Sequence, residues 1–172
     1  MRVWKVQVSL VIALIVVISA TVLATTFVED FSAMPVGPCY PDGSTIGGWQ
    51  FVYNGYGCNG FVTANSNTML FEQPFTSTRP DETHGALVIG PSISVDFTLQ
   101  VSAATTRQLR ANGAANTWEV AWVLWHYTDN LHFYYFVPKP NGWELGKEDP
   151  AYPGAQHFLA SDTSPSFPIG AW

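Results

Sequence analysis

Hydrophobic and polar positions along this chain alternate in short runs separated by Gly, Pro, Asn and Asp, the pattern of strands between turns. The cleanest alternation covers residues 94–103, where Val95, Phe97, Leu99 and Val101 interleave with Ser94, Asp96, Thr98 and Gln100. A strand buried on one face is predicted there. Further strands are predicted at residues 27–31, 49–53, 61–63, 69–71 and 86–89. Residues 118–127 and 131–137, with Thr128-Asp129-Asn130 as the turn, read as a hairpin. After a second turn at residues 138–142 the chain returns as a strand over 143–147, so a three-stranded meander is expected at the centre. No segment beyond residue 24 sustains a 3.6-residue period with caps. The expected fold is therefore all-β, a two-sheet antiparallel jelly-roll sandwich.

The first two dozen residues follow a different pattern. Arg2 and Lys5 precede an uncharged run at residues 6–24, as in a secretory signal, and Val22-Leu23-Ala24 places cleavage after Ala24. The rival reading is an uncleaved anchor helix, since roughly 19 uncharged residues also span a bilayer. Residues 1–24 are thus a signal peptide or signal anchor, with membrane contact only through residues 6–24 if uncleaved. Residues 25–172 form one exported domain, secreted or held outside the membrane. The apolar run at 167–172 is either a C-terminal edge strand or the first part of a strand in a chain truncated before its later strands.

Charge and cysteine content narrow the partners. The net charge of −6 and the scarcity of bases beyond the leader exclude a cationic surface for nucleic acid. Cys39 and Cys58 are the only cysteines, and in an exported chain two thiols point to one disulfide. The Gly- and Pro-rich stretch around them is where a covalent staple matters most. His84, His126, His132 and His157 lack zinc-site spacing, so no metal is assigned and no cofactor is required. Structural calcium is possible at Glu29-Asp30 or Asp129-Asn130, which offer hard oxygen ligands without an EF-hand pattern.

Seven tryptophans and seven tyrosines, concentrated in the second half, suit a glycan, because sugar C–H faces stack on rings while hydroxyls bond to carboxylates and amides. On the strand over 118–127, Trp118, Val120, Trp122, Leu124 and His126 would share one side; Glu119, Ala121, Val123, Trp125 and Tyr127 would share the other. One side must face the core. The candidate binding residues are Trp122, Trp125, His126, Tyr127 and Trp143. Glycoside hydrolysis needs two carboxylates flanking the bond. No strand is expected to carry an i, i+2 or i, i+4 acidic pair, which leaves Glu119 and, on a neighbouring strand, Glu144 as the candidate acid and base. Arg107 and Arg110 supply a competing structural role for Glu119, a cross-strand ion pair.

The stretch Trp118-Glu119-Val120-Ala121-Trp122-Val123-Leu124-Trp125-His126-Tyr127-Thr128-Asp129-Asn130, followed by His132-Phe133-Tyr134-Tyr135-Phe136 and Asn141-Gly142-Trp143-Glu144-Leu145-Gly146-Lys147, resembles the concanavalin A-like lectin/glucanase superfamily. Its nearest members are the family-16 glycoside-hydrolase-like and 3-keto-disaccharide-hydrolase-like domains. Val28-Glu29-Asp30-Phe31 and Val95-Asp96-Phe97-Thr98-Leu99 fit the same layout. The resemblance implies a jelly roll with a concave carbohydrate face. The alternating Glu, Asp, Glu of the family-16 glucanases is missing, as Glu119 is the single acid in its stretch. The expectation is therefore carbohydrate binding, with glycoside hydrolysis through Glu119 and Glu144, or a non-catalytic cell-surface structural role, as alternatives.

Overall fold

A computed structural model describes residues 26–37, 39–92 and 96–172. The expected leader, residues 1–24, lies outside the described residues. Among the described residues the fold is all-β, with nine strands in three antiparallel sheets and one short 3-10 turn. Strands β1 (Thr45–Ile46), β2 (Trp49–Tyr53) and β5 (Leu87–Ile89) form one sheet in the order β1-β2-β5. Strands β3 (Cys58–Ala64) and β4 (Asn67–Gln73) form a hairpin across Asn65 and Ser66, both at positive φ. Strands β6 (Val123–Asp129), β7 (His132–Lys139), β8 (Gly142–Glu148) and β9 (Gln156–Asp162) form a four-stranded meander.

The N-terminal half is organised by aromatic packing. Phe51 and Phe61 are fully buried and meet edge to face at 5.7 Å between ring centres, with Tyr40 5.0 Å from Phe51. The expected Cys39–Cys58 disulfide is present, with a Cα separation of 4.9 Å. Beside it the Tyr40 amide donates to the Asn59 carbonyl at 2.9 Å, so bond and backbone together pin the loop before β1 to β3.

Two expected strands do not form. At residues 27–31 the acidic side chains turn back on their own backbone. The Phe31 amide donates to Glu29 Oε1 at 2.7 Å and the Ser32 amide to Asp30 Oδ1 at 2.9 Å, with Phe31 at φ 59°. Such local bonds compete with a ladder. At 94–103 the described residues, from Asp96 on, enter no ladder; residues 93–95 lie outside the description. The alternation there gives the segment one apolar side, which stays largely exposed, and a strand also needs a neighbour to receive its backbone bonds.

The meander forms as expected, with two shifts. The first turn is Asn130-Leu131 rather than residues 128–130, since Asp129 pairs directly with His132. The first strand begins at Val123, because residues 118–122 are held in a turn by Glu119 N–H to Asn116 O at 3.1 Å and by the Trp122 indole N–H to Trp118 O at 2.9 Å. Strand β9 was not expected; its exposed Ser, Asp and Ala positions give little alternation.

Candidate functional site

Register divides the meander into two faces. Val123 pairs with Phe136, which in turn pairs with Leu145, and Trp125 pairs with Tyr134, which pairs with Lys147; these residues share one face with Pro138 and Trp143. Leu124 pairs with Tyr135, which pairs with Gly146, and Phe133, Val137, Lys139, Glu144 and Glu148 lie on the same opposite face. Between Trp125 and Asp129 three β6 residues stand opposite the single Phe133, with His126 at φ 50°. The irregularity swaps the two residues that follow Trp125. His126 stands against Tyr134 and Phe97, on the Trp125 side, while Tyr127 stands against Phe133 on the other. The expected side-sharing of His126 with Trp122, and of Tyr127 with Trp125, is thus reversed by an irregularity that no alternation rule encodes.

The first face is apolar. Val123, Trp125, Phe136 and Leu145 form the floor of a cleft of about 560 Å³, walled by Phe97, Leu99 and Val101 on one side and by residues 166–172 on another. Trp125 stacks on Tyr134 at 5.9 Å; Trp143 packs 6.0 Å from Phe136 and donates its indole N–H to Ser164 O at 3.1 Å. Trp125, Trp143 and His126 therefore belong to this face.

The second face mixes rings with polar groups. Trp122, preceding β6, lies 4.9 Å from the fully buried Tyr135 ring. The Tyr135 hydroxyl accepts from Gln156 Nε2 at 3.0 Å, reaching across β8 to β9. That reach needs Gly146 between them, since a Cβ there would overlap the Tyr135 hydroxyl. Burial pushes the Tyr135 phenol up; the Gln156 bond opposes this, and the charges of Glu148 and Glu144 add to it. Glu144 is ion-paired with Lys139 on the same face. Glu148 has no side-chain partner among the described residues, and burial raises its carboxyl above the usual carboxylate range.

Glu144 and Glu148 are an i, i+4 carboxylate pair on one strand, contrary to the expectation that no strand carries one. The spacing is legible in Glu144-Leu145-Gly146-Lys147-Glu148, and the strand reaches Glu148, one residue beyond the expected end at Lys147. Glu119 lies in the turn before β6, where the Arg110 Nε donates to both its oxygens at 2.9 and 3.0 Å and Asn116 Nδ2 donates at 2.8 Å. Only 8% of its side chain and 4% of Arg110's are exposed. Burial raises the Glu119 carboxyl, but the Arg110 and Asn116 bonds and the guanidinium charge outweigh it, and the net shift is downward. The partner is Arg110, as weighed from sequence, but it reaches Glu119 from outside any ladder with that strand. Its remaining N–H groups donate to Arg79 O at 2.7 Å and Glu82 O at 2.8 Å, fastening two loops together. No described contact joins Glu119 to Glu144.

The oxygens considered for calcium serve local bonds: Asp129 Oδ1 accepts from the Leu131 amide and meets His132 Nδ1, each at 2.8 Å. Among the described residues no three His, Cys, Asp or Glu side chains gather into a metal-holding group. A separate recess of about 360 Å³ includes Tyr53, Tyr56 and His84, with Tyr56 largely exposed at φ 64°. Sequence reasoning singled out none of it as a site.

No protein-family model, curated protein or solved structure matches this chain. The resemblance to concanavalin A-like domains therefore rests on the residues quoted for it.

Proposed function

We propose that residues 25–172 are an exported concanavalin A-like jelly-roll domain that binds a polysaccharide or glycoconjugate on the Trp122–Tyr135–Glu144–Glu148 face of the meander. One observation carries this reading: a single sheet face sets closely packed, tilted aromatic rings beside half-buried carboxylates, an ammonium and an amide. The half-buried Trp122 and Tyr127 supply ring faces for sugar C–H groups, with the buried Tyr135 packed beneath Trp122; Glu144, Glu148, Lys139 and Gln156 supply hydrogen bonds that fix orientation. Tyr127, carried onto this side, extends it towards Asn130, to whose Oδ1 its hydroxyl donates at 2.8 Å. The disulfide suits an oxidising exterior and supports export.

Affinity electrophoresis through gels containing a panel of plant, algal and microbial polysaccharides tests the proposal. Retardation by one polymer should be lost in Trp122→Ala while Trp143→Phe, on the opposite face, keeps it. Equal retardation of both variants and the parent would remove the second face as the binding surface; no retardation of a folded protein by any polymer would reject carbohydrate binding.

Glycoside hydrolysis is a second reading of the same face, favoured by the i, i+4 pair. Glu148, raised by burial, has the character of a general acid, and Glu144 beside it that of its partner. Glu148 thus joins the originally expected Glu119 and Glu144 as a candidate. Reducing-sugar release from the retarding polymer, lost in Glu148→Gln with retardation intact, would establish it; unchanged release would exclude it.

A further inference from the structure

The segment from Asp96 to Ala103 has the side-chain pattern of a strand without a strand's hydrogen bonds. Among the described residues its backbone enters no ladder, and the first backbone bond downstream is Gly170 N–H to Thr105 O at 2.7 Å. Phe97, Leu99 and Val101 wall the 560 Å³ cleft yet remain 37%, 47% and 51% exposed. An unpaired strand of this kind is a template for another, and chains that must stay single blunt such edges with Lys, Pro or a bulge. Residues 96–103 contain no Lys, Arg or Pro, and none stands at positive φ.

We propose that this segment is the docking strand for a second copy of the chain, the two copies pairing antiparallel about a twofold axis through Leu99. The sequence is self-complementary in that register. Leu99 faces Leu99, Phe97 faces Val101, Thr98 faces Gln100, and Asp96 faces Ser102. Apolar residues meet apolar ones, and each copy's single carboxylate meets a hydroxyl rather than its own symmetry mate, so no like charges oppose. A slip by one residue would set Phe97 against Gln100 and Thr98 against Leu99, turning apolar side chains to the wrong face. The contact uses one patch twice and so closes at two copies. It continues the cleft wall of one copy into that of the other and sets the two apolar trios side by side, so that each shields the flank of the other.

Sedimentation velocity of the purified protein from low to high micromolar concentration should show a monomer–dimer equilibrium. Leu99→Lys, placing two ammonium groups in contact, should shift it to monomer with an unchanged circular dichroism spectrum. Crosslinking supplies a readout that does not depend on that variant folding. Cys39 and Cys58 are already bonded to each other, so an introduced thiol stands alone. Under mild oxidation Leu99→Cys should crosslink two chains, whereas Asp96→Cys should not, its symmetry mate lying about 20 Å away along the paired strands. A protein monomeric at every concentration overturns the proposal, as does a dimer that survives Leu99→Lys or fails to crosslink through Leu99→Cys. Saturable uptake of the neutral probe N-phenyl-1-naphthylamine by a strict monomer would instead assign the cleft to a small apolar ligand.

Discussion

Replacing both Cys39 and Cys58 by serine should lower the stability of the domain by about 3 kcal/mol. The two residues are 19 apart in sequence, and closing a loop of that length removes entropy from the unfolded chain chiefly in proportion to the logarithm of its length. The native state should lose little else. Tyr40 remains packed on Phe51, and its amide bond to Asn59 is independent of sulfur. For a domain of this size each kcal/mol corresponds to roughly 2–4 °C, so the melting midpoint should fall by about 6–12 °C. The assay is thermal unfolding followed by near-ultraviolet circular dichroism, comparing the parent, the parent with reductant, and the double serine variant. Reductant and mutation should give the same midpoint. A fall smaller than about 2 °C would refute the loop-entropy reasoning. It would mean that the segment around Tyr40 stays ordered relative to β3 even in the unfolded chain, or that it contributes nothing to the folded one.

Glu119 titrates lower in the folded than in the unfolded chain, so its contribution is fully present above about pH 4.5 and is lost as pH falls through the folded value. Urea melts across the acid range should show that loss in the parent and a flatter profile in Glu119→Gln, which should also be less stable at neutral pH because Arg110 is left buried beside a neutral partner. Glu148 has the opposite sign: its raised carboxyl destabilises the folded chain as pH rises through and beyond the unfolded value. Glu148→Gln should therefore be more stable than the parent at neutral pH and not at acid pH, by the same melts; equal stability at both would contradict the burial of that carboxyl. Gly146→Ala drives a methyl group into the Tyr135 hydroxyl and ring and should cost about 1–3 kcal/mol in urea unfolding, with altered tyrosine near-ultraviolet signal.

Strand identity was most legible where periodicity and turn chemistry agreed. Trp49–Tyr53 appears with the bounds expected, and Pro140-Asn141 turns the chain between Lys139 and Gly142 because Gly142 tolerates φ 133°. Alternation failed at 96–103, where it correctly reports a one-sided apolar face but cannot report whether a neighbouring strand exists. It also failed at His126, where the irregularity opposite Phe133 exchanges sides, so the expected grouping of aromatic residues was split. Within the candidate face, Trp122, Tyr127 and Glu144 were singled out from sequence. Tyr135, Gln156 and Glu148 were not, because their proximity depends on the register of three strands and on the absence of a Cβ at Gly146. Glu119 was weighed correctly as an arginine partner, although its turn conformation comes from Asn116 and Arg110 acting together rather than from a ladder.

The meander pairs only sequence neighbours, with two-residue turns joining β6 to β7 and β7 to β8, whereas β2 must wait for β5 across the whole β3–β4 hairpin. Loop closure therefore delays the N-terminal half far more than the C-terminal half. During folding the meander therefore has the topology to become ordered first, and the 19-residue loop closed by Cys39 and Cys58 is a short-range link inside the half whose strand pairing must span the longer distance.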